Sequence, residues 1–172
     1  MEKGYNTDRF LIEKLNNQHN RDDFSCTIVS LDDYIKRQAS QDNKKNISVS
    51  YILYDQKAEK IAGYYTLSSS TIELNELPAD ISRKLPHYPL LPAILIGRLA
   101  VDLTYQKQGL GEILLIDALK KAKQASLEIA SFAVIVDAIN LHAIQFYKKY
   151  GFISFPSHKD KLYLPMSTIK KL

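Results

Sequence analysis

The sequence has few of the features found in secreted or membrane proteins. It contains one cysteine, Cys26, so it cannot form an internal disulfide, which favours a reducing compartment. No stretch approaches the roughly 18 consecutive apolar residues that are needed to span a bilayer. The start, MEKGYNTDRF, has no apolar segment after its charges, so no signal peptide is predicted. We therefore expect a cytoplasmic protein that does not contact a membrane.

Acidic residues are scarce in the second part of the chain. Residues 1–102 contain 13 Lys and Arg against 14 Asp and Glu, whereas residues 103–172 contain 10 against 5. A cationic half attracts a polyanionic partner and speeds its arrival. On composition alone, however, a solvated face of lysines is the simpler explanation.

The length and the 45% hydrophobic content predict one domain, residues 1–172, with one substantial core. A helix is predicted to begin at Ser30, which with Asp33 resembles a capping box. Two strands joined by a turn near residues 55–60 are predicted within VSYILYDQKAEKIAGYYTLSS. The prolines at 86, 89 and 92 predict an extended loop over residues 85–93.

Strands and helices alternate after residue 93. The segment AILIGRLAVD is predicted to be a strand, followed by a helix over residues 110–124. Apolar residues 131–137 predict a strand buried on both faces. The last predicted elements are a helix over 140–149, with Asn140 as its N-cap, and a strand over 161–167. This order predicts a mixed α/β sheet flanked by helices, with antiparallel hairpins at its start.

The segment YQKQGLG connects a predicted strand to a predicted helix. Gln106, Gly109 and Gly111 have the spacing Q-x-x-G-x-G, which is neither the Rossmann nor the Walker pattern. The first amides of a helix have no intrahelical acceptor, and a glycine in front of them lets a phosphate approach. A plain structural turn explains the same residues about as well.

The segments around this loop resemble the GNAT superfamily, the Gcn5-related N-acetyltransferases. The resemblance rests on IGRLAVD, YQKQGLG, VIVD and NLHAIQFYKKYGF, which follow one another over residues 94–152, and more loosely on residues 24–75. Within that superfamily, GRLAVD, QGLG, LLIDALKKA, VDAIN and YLPM are similar to the toxins of toxin–antitoxin pairs that acetylate aminoacyl-tRNA. The resemblance implies the GNAT acyltransferase fold and acetyl-CoA as the acetyl donor.

The resemblance also implies which residues contact the coenzyme. The amides of residues 107–112 would bind its pyrophosphate, Gln106 would fix the loop, and the strand residues would bind the pantetheine arm and stabilise the oxyanion. The residues expected at the coenzyme are Leu99, Ala100, Val101, Gln106, Lys107, Gln108, Gly109, Leu110, Gly111, Glu112, Asn140 and Tyr147. Asn140 fits equally well as a helix cap. No metal ligand is expected.

Tyr147 is expected to be the catalytic acid, because FYKKYGF matches the segment where the family places a tyrosine beside the coenzyme sulfur. A phenol with a pKa near 10 is a suitable donor to a thiolate whose parent thiol has a pKa near 8.5. Tyr147 also lies on the predicted apolar stripe of its helix, so it is expected to be a core residue at the same time. Direct transfer is expected, since Cys26 has no setting that would make it a nucleophile.

No histidine or glutamate has a sequence spacing that identifies it as a general base. His142 is expected to be solvated, and His19, His87 and His158 lie in loop-like contexts without an evident partner. An α-amine has a pKa near 7.7–8.0, so a sizeable fraction is already nucleophilic at neutral pH. An acceptor of this kind, which includes aminoacyl-tRNA and many small amines, needs no strong base.

The toxin resemblance implies aminoacyl-tRNA as substrate, a ribbon-helix-helix antitoxin as partner, and a homodimer. Cations flanking the motifs are candidates for contacts with tRNA phosphates. These candidates are Arg98, Lys107, Lys148, Lys149, Lys159 and Lys161. Arg98 fits equally well as the partner of a buried carboxylate.

Two other functions stay open on the sequence. The chain would also suit a GNAT enzyme that acetylates a small amine or a protein N-terminus. A non-catalytic module that binds CoA for regulation or assembly is the alternative from another class.

Overall fold

A computed structural model describes residues 8–172, which form a mixed α/β structure with seven strands and six α-helices. The strands are β1 (Phe10–Lys14), β2 (Val49–Asp55), β3 (Lys60–Glu73), β4 (Leu90–Val101), β5 (Ala133–Asp137), β6 (Ile153–Phe155) and β7 (His158–Pro165). The helices are α1 (Val29–Asp33), α2 (Ala39–Lys44), α3 (Ala79–Ser82), α4 (Leu110–Glu128), α5 (Leu141–Lys149) and α6 (Met166–Ile169). A π-helical turn, Tyr34–Gln38, joins α1 to α2, and 3₁₀ turns cover Leu74–Glu76 and Leu103–Tyr105.

The strands form one sheet in the order β1-β2-β3-β4-β5-β7-β6. β2 pairs antiparallel with both β1 and β3. β5 pairs parallel with β4 and antiparallel with β7, which also pairs with β6. The predicted mixed sheet, with antiparallel hairpins at its start, is therefore confirmed.

The chain forms two compact units, and β3, β4 and α4 each have residues in both. The first unit joins residues up to Leu67 with Arg98–Asp117. In its core, residues of α1 and the π-helical turn pack against β2 and β3. Ile35, Ile52 and Tyr64 are completely buried there.

The second unit joins Ser68–Gly97 with Ala118–Leu172. Its core contains Ile72 of β3, Ala133 of β5 and Tyr163 of β7, each completely buried. The nearly continuous burial of β5 confirms the strand predicted from an uninterrupted apolar run.

The predicted capping box at Ser30 is wrong. Helix α1 begins one residue earlier, with Ile28 as its N-cap and no side-chain cap. The amides of Leu31 and Asp32 donate to the Ile28 carbonyl at 3.0 and 3.1 Å. The carboxylate of Asp32 instead accepts from the Cys26 amide at 2.8 Å, so this side chain fixes the segment in front of the helix.

The predicted loop over 85–93 is too long, because β4 already begins at Leu90. Pro92 lies inside that strand. Its fixed φ is compatible with extended backbone, and its carbonyl accepts the Phe132 amide at 2.8 Å. The proline at position 92 therefore did not exclude a strand, contrary to the prediction.

The last predicted strand, 161–167, is displaced. β7 spans His158–Pro165, and Met166 starts the short helix α6. The Met166 amide donates to the Phe132 carbonyl at 2.8 Å, which turns the chain out of the sheet. Strands β1 and β6 were not predicted, and α4 extends four residues beyond its predicted end.

Candidate active site

The end of β4 has free backbone groups on one edge. β4 is paired with β5 over Ala93–Ile96, opposite Ala133–Val136. Leu99–Val101 continue β4 beyond that paired stretch. Apart from the Val101 carbonyl, which accepts from Gln106 Nε2, their peptide groups on this edge are therefore available, in the described part of the chain, to a ligand that lies along the strand.

Asp102 fixes the turn that follows β4. One carboxylate oxygen accepts from the amide and hydroxyl of Thr104 at 2.9 and 2.7 Å, and the other accepts from the Ser25 amide at 3.0 Å. The Asp102 amide itself donates to the Ala62 carbonyl at 2.8 Å. Asp102 is the N-cap of the 3₁₀ turn Leu103–Tyr105 and sets the direction in which the chain leaves the sheet.

A buried ionic cluster holds the other end of this turn. The Asp55 carboxylate, which is completely buried, accepts from the Arg9 guanidinium at 2.8 Å and from the Tyr105 hydroxyl at 2.7 Å. The amides of Lys57 and Ala58 donate to its second oxygen. The Arg9 hydrogen bond is the largest cause that lowers the pKa of Asp55, and burial raises the pKa of Tyr105 to about 12. The cluster ties Tyr105 to the end of β2.

The glycine-rich loop itself is held by two glutamine side chains. Gln106 Nε2 donates to the Val101 carbonyl at 3.1 Å, and Gln108 Nε2 donates to the Thr104 carbonyl at 3.4 Å. Lys107 and Gly109 have positive φ values of 63° and 79°. The loop is therefore a compact, internally bonded turn rather than a loose connection.

Gly109 leaves open space in front of helix α4. A Cβ built on Gly109 would meet no atom within 4 Å. The amides of Leu110, Gly111 and Glu112 are the first of the helix and have no acceptor within it, and the helix dipole makes this end partly positive. The arrangement fits the pyrophosphate of a coenzyme, because an anion can reach the amides without meeting a side chain.

Tyr147 lies in α5, in the second unit. Its ring packs between Phe146 and Phe152, with centroid distances of 5.2 and 5.4 Å, and burial raises the pKa of the phenol well above its usual value. Within residues 8–172 its hydroxyl has no hydrogen-bond partner. The unpartnered side-chain oxygens that are sealed from solvent belong to Ser50, Thr66 and Tyr163. The Tyr147 hydroxyl therefore reaches solvent from a buried ring.

Asn140 caps α5 as predicted. Its side-chain oxygen accepts from the Ala143 amide at 2.8 Å. The NH₂ group of this side chain remains for a contact with the coenzyme arm. The C-terminal signal of the same helix is also confirmed, since Gly151 has a φ of 91°.

The six cationic candidates have different surroundings. Lys107, Lys148, Lys149 and Lys159 are exposed. Lys161 forms an ion pair with Glu76 at 3.3 Å, with 24% of its side chain exposed. Arg98 is half-buried over the Tyr34 ring, so the expected alternative of an ion pair with a buried carboxylate does not occur in the described chain.

The other candidate groups are structural or solvated. Cys26 is buried, and burial raises the pKa of its thiol to about 11, so it is no nucleophile. His142 is exposed as expected, and His158 lies in β7 rather than in a loop. His19 has partners that the sequence did not indicate: its Nε2 lies 2.7 Å from Glu13 Oε1, and its Nδ1 accepts the Asn16 amide at 3.0 Å.

Two classes of feature are not found in residues 8–172. No helix there is long and apolar enough to cross a bilayer. No group of three or more His, Cys, Asp or Glu side chains is arranged to hold a metal ion.

Comparison with known proteins identifies a matching family and relatives that align with most of this chain. The model of the acetyltransferase (GNAT) family matches residues 14–152. The chain is 28% identical over 170 residues to the probable toxin TacT of Sinorhizobium fredii (strain NBRC 101917 / NGR234), a match that covers 94% of each chain. It is 32% identical over 149 residues to a tRNA-acetylating toxin of Mycobacterium tuberculosis, covering 87% of each.

Solved structures show the same fold. AtaT complexed with acetyl-methionyl-tRNAfMet superimposes with a TM-score of 0.87 at 30% identity, covering 94% of this chain and 98% of that one. A tyrosine-to-phenylalanine variant of AtaT, bound to the C-terminus of the antitoxin AtaR and acetyl-CoA, gives 0.80 at 27% identity, covering 95% and 98%.

Proposed function

We propose that this chain, which belongs to the GNAT family of acetyltransferases, transfers acetyl from acetyl-CoA to the α-amine of aminoacyl-tRNA. Acetylation of that amine would block translation, so the protein would act as a toxin. The observation that supports this best is the open space at Gly109 in front of the first amides of α4. The substrate is supported by the relatives, one of which is named a tRNA-acetylating toxin.

The coenzyme supplies an activated acetyl thioester when it is bound. We propose that the amides of residues 107–112 bind its pyrophosphate and that Gln106 keeps the loop in shape through the Val101 carbonyl. The free edge of Leu99–Val101 would align the pantetheine arm and donate a hydrogen bond to the thioester oxygen as negative charge develops there.

Tyr147 is proposed to donate a hydrogen bond to the departing sulfur. Because burial raises its pKa, the phenol stays protonated throughout the physiological range. Full proton transfer from so weak an acid to a thiolate is unfavourable. The proton that neutralises the thiolate would therefore come from the acceptor, whose amine loses one proton when its C–N bond forms and the C–S bond breaks.

We further propose that residues 1–172 act as one acetyltransferase domain in the cytoplasm and as a homodimer. The family match, which extends through both compact units, supports one domain. A ribbon-helix-helix antitoxin is the proposed partner, supported by the AtaT structure with the antitoxin AtaR. Light scattering of the purified protein, alone and with the product of a neighbouring repressor-like gene, tests both assemblies.

The decisive experiment is incubation with labelled acetyl-CoA and a total charged tRNA pool, with deacylated tRNA as control. We expect label on the aminoacyl group of charged tRNA and none on the deacylated pool. Turnover of a small amine or a protein N-terminus without acetylated aminoacyl-tRNA would overturn the substrate and leave a general GNAT enzyme. Coenzyme binding without transfer to any acceptor would indicate a non-catalytic module.

A further inference from the structure

The guanidinium of Arg98 stacks on an aromatic ring and has no ionic partner in the described chain. Its guanidinium carbon lies 3.5 Å from the centroid of the Tyr34 ring, and the residue is half-buried. Within residues 8–172 it makes no hydrogen bond and no ion pair. A guanidinium has five N–H donors in one plane, and all five are unused here.

The ring beneath Arg98 is held firmly. The Tyr34 hydroxyl donates to one oxygen of Asp42 at 2.9 Å, and Gln38 Nε2 donates to the other at 2.8 Å. The buried Tyr34 ring also lies 6.4 Å from the Tyr64 ring at an interplanar angle of 15°. Asp42 therefore positions Tyr34 and forms no ion pair with Arg98. The Gln38 hydrogen bond and, to a smaller degree, the nearby positive charge of Arg98 lower the pKa of Asp42.

Two further features accompany this pair. Tyr34 begins the π-helical turn, and such turns occur frequently at functional sites. Ser50 and Thr66 lie opposite each other in β2 and β3, and both hydroxyls are sealed from solvent without a partner. Thr66 follows Tyr64 by two residues, so it lies on the same face of the sheet. Polar groups on this face are incompletely satisfied in the protein alone.

We propose that Arg98, stacked on Tyr34, binds an oxyanion of the acceptor substrate. Stacking occupies one face of the guanidinium and leaves the N–H fork at its edge, which matches two oxygens of a phosphate or carboxylate. Arg98 directly precedes Leu99–Val101, so the anion would be held beside the residues proposed to bind the thioester.

The source of the oxyanion follows from the proposed function, on which this inference rests. In aminoacyl-tRNA the phosphate nearest the reacting amine is the one on the 5′ side of the terminal adenosine. A small amino-acid acceptor would present its own carboxylate instead. The two sources share one chemistry and can be separated experimentally.

The test compares matched acceptors with the full-length enzyme. The first pair is 3′-aminoacyl-adenosine with and without a 5′-phosphate. For the wild type we expect the phosphate to lower KM by about 10- to 100-fold, in line with a charge-assisted bidentate contact, with little change in kcat. Arg98→Gln should have the same KM for both compounds, and Arg98→Lys should recover only part of the difference because it lacks the planar fork.

One variant guards against a purely structural effect. Arg37→Gln removes an arginine with 80% of its side chain exposed from the helical segment that carries Tyr34, and it should keep the full phosphate effect. A fold defect would change KM for both acceptors equally, whereas loss of the anion contact changes only the ratio.

The second pair, a free amino acid and its amide, identifies the source. If the wild type prefers the free acid and Arg98→Gln removes that preference, the Arg98 site is supported and the tRNA assignment is overturned. If Arg98→Gln retains the full phosphate advantage, the Arg98 inference is overturned while the proposed function stands. If the wild type acetylates neither these pairs nor charged tRNA, the proposed function falls and this inference with it.

Discussion

At the scale of single residues, Tyr147 combines a buried ring with a hydroxyl that reaches solvent. Aromatic neighbours fix the ring, with Phe146 and Phe152 within 5.4 Å. Because no protein group uses the hydroxyl, it can donate to a ligand without breaking an existing bond. Burial raises the pKa of this phenol above the ordinary value on which the sequence argument was based. The residue is therefore better suited to stabilising a departing sulfur by a hydrogen bond than to releasing its proton.

Tyr147→Phe should lower kcat by about 100- to 1,000-fold, the usual cost of losing one hydrogen-bond donor to developing negative charge. The dissociation constant of acetyl-CoA should change little, because the ring and its packing remain. Steady-state kinetics and calorimetry measure the two quantities. Tyr150→Phe, at the C-cap of the same helix, is the matched control and should keep its kcat. An unaltered kcat in Tyr147→Phe would remove this phenol from the mechanism.

Asp55 shows how one carboxylate supports the loop from behind. Its pKa is lowered below the unfolded value near 3.9, first by the Arg9 hydrogen bond. A lowered folded pKa means that this group adds stability above about pH 4 and loses that contribution as the pH falls towards its folded pKa. The same carboxylate holds Tyr105, the residue in front of Gln106.

Asp55→Asn should lower the free energy of unfolding at pH 7 by about 1.5–3 kcal/mol, the usual loss for a hydrogen bond to a charged group. The loss is not larger, because Arg9, with 40% of its side chain exposed, is not left as a buried unpaired charge. The difference from wild type should shrink below about pH 4, where the native carboxylate begins to lose its advantage. Urea unfolding over pH 3–7 measures it, with the exposed Asp22→Asn as control. A difference that is constant with pH would contradict the assignment.

At the scale of elements, the loop and helix α4 form the proposed anion site, and Gly109 is its most sensitive position. Gly109 and Gly151 both have left-handed φ values, 79° and 91°. A Cβ on Gly109 would point into open space, whereas one on Gly151 would touch Leu164 Cδ1 at 3.6 Å. The two glycines therefore share a backbone conformation that would strain any replacement, but they differ in what lies in front of them.

Gly109→Ala and Gly151→Ala should each destabilise the protein by about 1–2 kcal/mol, the cost of a side chain in the left-handed region. Only Gly109→Ala should also weaken acetyl-CoA binding, by roughly tenfold or about 1.4 kcal/mol. Thermal unfolding and calorimetry on the same samples separate the two effects. Equal coenzyme affinity in both variants would mean that Gly109 serves only to form the turn and that its open space does not bind the coenzyme.

The elements differ in how well the sequence predicted them. α4, β5 and α5 have local signals, such as the Asn140 cap and the glycine after α5, and they were predicted within a few residues. β1 is a short strand whose partner, Tyr51–Asp55, is distant in sequence. β6 pairs with the neighbouring β7, but its three residues are too few to show a strand pattern. The setting of Arg98 was also beyond local rules, because it depends on a π-helical turn more than 60 residues earlier. The role of Asp102 as an N-cap was not predicted, although the Asp-x-Thr spacing to Thr104 is a local signal for it.

At the scale of the whole molecule, the excess of positive charge after residue 102 is not uniformly available. Lys161 is paired with Glu76 at 3.3 Å and also lies 5.0 Å from the Phe155 centroid, so its charge is partly used. Lys148 and Lys149 are exposed in the last turn of α5, directly after Tyr147. Net charge alone therefore overstates the number of cations that can contact a polyanion.

If Lys148 and Lys149 each bind a phosphate, binding releases condensed counterions and the affinity falls as salt rises. The slope of log KM for aminoacyl-tRNA against log salt should drop by about 0.7–0.9 in Lys148→Gln and in Lys149→Gln. Lys161→Gln should leave the slope unchanged, since that lysine is already paired. The KM for acetyl-CoA in the same titration is the internal control. A slope that fell equally in all three variants would mean that general charge, and not contacts beside α5, attracts the RNA.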